Sequence, residues 1–263
     1  MKNLPDTTTY PQTAPPEINS DSTARPPSPI WPYVVPFVLL LGIPALFQMA
    51  ESFKSAEQLA VDNGLAKFLS VTFQAITCAA LIVACWGIYR RAFPFRFGAL
   101  AVVVGVVGAA AWIGICSFNL ESQLFGILGL ESWIPKREGL NPFQQYDDAR
   151  LGWFLVARLS LLCVIVPIAE ELLLRGWLLR WIHSDSDWAT TSLSAISWRS
   201  MSWVFGYAIV THPQEAIAAV VWFGMINLLM RRTGNFWDCV LAHSITNLLL
   251  GVWIMSTGDW RLW

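Results

Sequence analysis

The feature that most constrains this chain is a succession of long apolar runs separated by more polar, charge-bearing segments. They occupy 32–49, 68–89, 97–118, 152–182, 214–230 and 236–257, with a shorter one at 200–211. A helix that crosses a bilayer needs about 20 predominantly apolar residues. Hydrophobic residues make up 55% of the chain and charged residues 13%, roughly half the charged share of a soluble domain. Too little charge is left to give these runs a water-facing side. The expected fold is all-α: a polytopic transmembrane helical bundle of about seven or eight spans.

The turns orient the bundle. Arg90, Arg91 and Arg96 crowd one short loop, and Arg231-Arg232 ends a later run. Lys and Arg accumulate in cytoplasmic loops, so these turns and the Ser-rich segment 183–199 are assigned to the cytoplasm. The N terminus is then cytoplasmic, while 50–67 and 119–151 lie outside, the latter with a short surface helix. Many of the 15 tryptophans, among them Trp31, Trp86, Trp153, Trp181 and Trp237, sit near run ends, as in an aromatic belt. Residues 1–30 hold seven prolines and few apolar side chains. Such a composition cannot bury enough surface to order itself, and the segment is read as a disordered tail. The expected organisation is this tail, N-terminal transmembrane helices with an extramembrane loop at 31–151, a core at 152–257 that carries the chemistry, and a short tail at 258–263. The expected location is a bacterial inner membrane. A net charge of −1 offers no footprint for nucleic acid. The five cysteines all lie in apolar stretches without a CxxC pair and read as reduced packing residues.

Three groups of polar residues fall at membrane depth, where ionisable side chains mark function by default. The first is Glu170-Glu171-x-x-x-Arg175. Glu171 and Arg175 are four apart, on one helix face and in the favourable order for an ion pair. Glu170 is turned about 100° away and has Leu174 at its own i+4 position, which leaves it available as a general base. The second is His212. Thr211-His212-Pro213-Gln214 has the pattern of a helix start, with Thr211 as N-cap and Gln214 closing a capping box, so the preceding helix should end near His212. A helix of 13 residues from Arg199 reaches about 20 Å inward and puts His212 well inside the membrane. The third is His243-x-x-x-Asn247, again on one face, an imidazole–amide pair suited to an oxyanion. His183 sits in a polar loop and reads as solvated. Pro167 is a candidate kink in the 152–182 run, whose roughly 45 Å length exceeds the hydrocarbon thickness.

The order Glu-Glu-x-x-x-Arg, a histidine at a helix end, then His-x-x-x-Asn resembles the CPBP family of intramembrane proteases, which includes type II CAAX prenyl endopeptidases and bacteriocin-immunity proteins. The stretch from Glu170 through Arg175-Gly176-Trp177-Leu178 is similar to that family's first motif. Arg232-Thr233-Gly234-Asn235 with Ala242-His243 and Asn247 is similar to its last. The likeness covers about 152–257. It implies that Glu170 activates water, that Glu171 and Arg175 organise the site, that His212 is the histidine of the second motif, and that His243 and Asn247 are the final pair. One position departs: the family usually has Phe four residues before the second-motif histidine, whereas this chain has Ala208 there and Phe205 seven before. The extra N-terminal spans also resemble the CAAX-protease-related branch found beside bacterial exosortase sorting systems, which implies a sorting-system partner.

The expected function is an intramembrane endopeptidase that cleaves a membrane-anchored peptide or protein near its C-terminus. Other readings compete. A zinc-dependent version of the same hydrolysis would place the metal on Glu170, His212 and His243, a His₂Glu set with an open position. A non-catalytic immunity or sorting partner would use the same groups to hold helices together. A proton relay or transporter ranks last, since no pair of broken helices recurs in matching halves.

Overall fold

The computed structural model describes residues 29–55, 64–129 and 139–262. Most of the Pro-rich segment 1–30 and part of the 119–151 loop therefore lie outside the described residues. Among those described, helices are the only regular elements: α1 Trp31–Ser52, α2 Leu65–Ala84, α3 Trp86–Ala92, α4 Ala99–Ser117, α5 Leu120–Ile127, α6 Pro142–Gln145, α7 Asp148–His183, α8 Trp198–Thr211, α9 Ala216–Thr233 and α10 Phe236–Thr257, with 3₁₀ turns at Leu193–Ala195 and Trp260–Leu262. Six of them, α1, α2, α4, α7, α9 and α10, are long and apolar enough to cross a membrane. Their outward faces carry exposed apolar side chains such as Leu41, Val103, Val107 and Val252, which suits contact with lipid. The chain is an integral membrane protein.

The seven or eight spans expected from the apolar runs are not all present among the described residues. The 200–211 run forms α8, only 14 residues long and about 21 Å at the helical rise, too short to cross. The 68–89 run is divided at Cys85 into α2 and α3. The helix after His212 begins at Ala216 rather than Gln214, and Thr211 does not cap it. The Thr211 hydroxyl instead donates to the Tyr207 carbonyl, a bond back into its own helix that competes with capping.

Contacts sort the loops onto two ends of the bundle. At one end Asn235 donates to the Arg96 carbonyl, Asp238 accepts from the Gly98 amide, and Arg231 donates to the Ile196 carbonyl. The Arg-Thr-Gly-Asn stretch is a helix stop and start: Gly234 closes α9 with a positive φ of 59°, and Asn235 caps α10 by accepting from Trp237 N. Gly relieves the Cβ clash at that φ. At the other end Glu121 accepts from Ile217 N at the start of α9, Tyr146 donates to the Gly64 carbonyl, and Phe143 packs on Trp260.

Helices α4 and α10 pack closely at Gly105. A Cβ on Gly105 would lie 2.8 Å from the Ala242 carbonyl oxygen and 2.8 Å from Ile245 Cβ. Neither is the far end of a flexible side chain, so the helices must separate to admit a methyl group. Gly105→Ala is expected to destabilise the protein by about 1–3 kcal/mol, read as a lower unfolding midpoint in detergent. Gly114→Ala on the same helix, where a Cβ meets nothing within 4 Å, should not lower it.

Helix α7 is continuous over 36 residues, with two π-helical segments, Leu161–Ile165 and Leu172–Leu178, on either side of Val166–Glu171. Pro167 has no N–H to give and its ring crowds the preceding turn. The chain accommodates it in a widened turn: Val166 N bonds Leu161 O, five residues back. Asn247 of α10 donates its amide to the Leu162 carbonyl at 2.8 Å, so a neighbouring helix satisfies the loosened backbone. The site carboxylates thus sit on the short α-helical piece between two π segments, a setting common at functional sites.

Candidate active site

The carboxylates divide as the helical spacing predicts. Glu171 and Arg175 are both 0% exposed and pair at 3.0 Å. Arg175 also donates to Asn227 Oδ1 of α9 at 2.9 Å and lies over the Phe223 ring. The same Glu171 Oε1 lies 3.3 Å from His243 Nδ1. A carboxylate oxygen only accepts when ionised, so Nδ1 carries the proton of that bond. His243 Nε2 is then the edge left for chemistry, and it lies 4.0 Å from Glu170 Oε2. The ring is fixed from the side by Trp222, 4.5 Å between centroids. Trp222 is itself held by Nε1 donating to Thr246 Oγ1, which donates onward to the Gly105 carbonyl.

Glu170, His212, His243 and Asn247 line one cavity of about 230 Å³, shared with Arg158, Glu215, Trp222, Phe223 and Thr246. The three sequence groups, separated by 30 residues or more, therefore meet. Glu171 and Arg175 do not line the cavity; they stand behind His243 as its support. His212 is the residue that ends α8, its Nδ1 2.8 Å from Thr211 Oγ1 and its ring against Trp112 and Phe223. Ala208, four residues before it, is fully buried. The aromatic ring beside His212 comes instead from Phe223 of α9. His183 is exposed and accepts from Ser197 N through Nδ1, away from the cavity.

Several site residues were not assigned from sequence. Asn227 is a polar residue within an apolar span, a signal of the same kind as Asn247. Arg158 stands out as a charge within the 152–182 run, yet nothing local ties it to Glu170. Glu215 is buried in the cavity wall. The Tyr207 hydroxyl neighbours the Glu170 carboxylate, buried and without a hydrogen bond of standard geometry. The His₂Glu zinc set finds no fit: Glu170, His212 and His243 share the cavity wall, but no three His, Cys, Asp or Glu side chains among the described residues converge to hold a metal ion.

A buried carboxylate thus faces an imidazole edge in the cavity, with an ion pair holding the imidazole from behind. Residues 152–249 match the family described as Type II CAAX prenyl endopeptidase Rce1-like, which supports a CPBP-family intramembrane protease. The matched region contains all six residues placed above: Glu170, Glu171, Arg175, His212, His243 and Asn247. No curated protein and no solved structure matches the chain.

Proposed function

We propose that the chain hydrolyses a membrane-anchored peptide or protein near its C-terminus, using water activated by Glu170. The observation that carries this is the 4.0 Å separation of Glu170 Oε2 and His243 Nε2 in a cavity that Asn247 and His212 also line. Polar groups beyond direct hydrogen-bond reach are readily bridged by water. Glu170 takes a proton from that water as its oxygen bonds to the scissile carbonyl carbon. The carbonyl oxygen gathers negative charge, and His243 and Asn247 are the nearby donors for it. As the C–N bond breaks, the proton passes to the leaving amine. Glu171, anchored by Arg175, holds the His243 ring by accepting from Nδ1; Nε2 donates to the oxyanion when it too carries a proton. The protein lies in a bacterial inner membrane with its N terminus in the cytoplasm.

The test is cleavage of a panel of membrane-anchored peptides by the purified protein, followed by mass spectrometry. Chelators are expected to leave the rate unchanged, because the cavity donors do not converge. Loss of activity in chelator with recovery on adding zinc would instead require a metal at this site.

A further inference from the structure

We propose that a second, polar cavity of about 230 Å³ at the arginine-bearing end of the bundle binds a phosphate group, supplied by the headgroup of an anionic membrane lipid. The site is separate from the catalytic cavity and stands whether or not the chain cleaves peptides.

Three segments enclose it: the turn after α3, with Phe93 and Arg96, the loop after α7, with Thr191 and Ser192, and the junction of α9 and α10 at Asn235. Arg180, in the last turn of α7, completes the lining. Arg180 is 5% exposed, and a buried charge is costly unless it is paired. Its Nε donates to the Thr191 carbonyl, Nη1 to the Gly176 carbonyl and Nη2 to the Ala189 carbonyl. The guanidinium also lies over the Phe93 and Trp188 rings, at 5.6 and 5.9 Å. All of these partners are neutral. They occupy three of the five N–H groups of a guanidinium and leave its charge uncompensated.

Arg96 adds a second charge. Its backbone is fixed by Asn235, whose amide donates to the Arg96 carbonyl at 2.9 Å, while its side chain is exposed. No carboxylate lines the cavity, and none among the described residues pairs with either arginine. Asp187 of the same loop is exposed and accepts from Ser186 Oγ, and Asp238 of α10 accepts from the Gly98 amide. The Thr190 and Thr191 hydroxyls are committed to the Asp187 carbonyl. The Ser192 hydroxyl shares its hydrogen only with Ser194 Oγ and is able to turn toward a ligand. Two guanidinium groups facing a cavity without a carboxylate match the oxygens of a phosphate.

The setting favours a lipid over a free anion. The cavity lies where membrane-crossing helices end: Arg96 precedes α4, Arg180 closes α7 and Asn235 caps α10. Arg96 is flanked by Phe95 and Phe97, 57% and 52% exposed. The turn thus offers aromatic surface on both sides of its charge, as membrane interfaces do, and basic pockets between membrane helices take anionic headgroups. A phosphate here joins the end of α7 to the start of α10, the two helices that carry Glu170 and His243, so occupancy stabilises their packing.

The experiment titrates the delipidated full chain in neutral detergent, reading the unfolding midpoint and, by native mass spectrometry, the bound lipid. Phosphatidylglycerol is expected to bind saturably and to raise the midpoint. Diacylglycerol, with the chains but no phosphate, and inorganic phosphate, without the chains, are expected to leave the midpoint unchanged. Arg96→Gln, at an exposed position that folding tolerates, is expected to weaken phosphatidylglycerol binding about five-fold, the weight of one basic residue at an anionic surface. Arg91→Gln, also exposed but outside the cavity, should not weaken it. An equal rise with diacylglycerol would remove phosphate from the recognition, and an equal rise with inorganic phosphate would remove the lipid. Equal weakening in both variants would mean a diffuse basic surface. Any of these results, or no shift with phosphatidylglycerol, overturns the proposal.

Discussion

Glu170→Gln is expected to reduce peptide cleavage by about 10²–10⁴-fold, the usual weight of a general base, while the protein folds as before. Gln matches Glu in size and keeps an acceptor oxygen, but it cannot take a proton from water. The fold should tolerate the change because Glu170 is not one of the structural pairs. Its carboxylate stands 4.0 Å from His243 Nε2, and Arg175 is engaged by Glu171 and Asn227 instead. Removing a charge from a buried site beside a second carboxylate also removes a desolvation cost. The unfolding midpoint in detergent should hold or rise as activity vanishes. A scaffold that used these groups only to bind helices together would show neither the loss of cleavage nor the dissociation of activity from stability. Cleavage at the parental rate would remove Glu170 from the mechanism.

Arg175→Leu is expected to have the largest effect on stability. It leaves Glu171, 0% exposed, without its cation, and breaking a buried pair from one side costs about 3–5 kcal/mol. It also removes the donor to Asn227 that joins α7 to α9. Little folded protein should survive extraction. The double variant Glu171→Leu/Arg175→Leu separates charge from packing: replacing both partners with apolar groups is often near neutral for stability, so the midpoint should recover substantially. Activity should not recover, because His243 would lose the acceptor on Nδ1 that fixes its ring. Equal instability of the single and double variants would mean that the pair matters through shape rather than charge.

Much of the site was legible because its parts are local. Glu171–Arg175 follows from i,i+4 spacing, and the separate aim of Glu170 from the 100° turn between neighbours. His243 and Asn247 share a face for the same reason, and the helix break at His212 was visible in the polar residues that follow it. What local pattern could not supply was depth. Glu170 lies mid-helix and His243 near the start of α10, and only packing of α7 against α10 brings them together. That packing depends on Gly105, which lets α4 approach α10, and on the π segments flanking Val166–Glu171, for which Pro167 was the sole signal. Thr211 fits a capping box in sequence, being followed by Pro and Gln, but its hydroxyl bonds back to the Tyr207 carbonyl and caps nothing. Asn227 stands out as a polar residue within an apolar span, but its partner Arg175 lies on another helix and follows from no local spacing. The short α8 explains the span count: its run is apolar enough for a membrane, but it stops at the cavity.

In the proposed mechanism Glu170 and His243 act on one water molecule as a unit. The most direct test is a double-mutant cycle on cleavage of a membrane-anchored peptide, with Glu170→Gln, His243→Ala and the pair together. Residues that act as a unit are strongly non-additive, so the double variant should cleave no more slowly than the slower single variant. Losses that multiply across the two sites would contradict the account, as would a parent enzyme that leaves every membrane-anchored peptide intact.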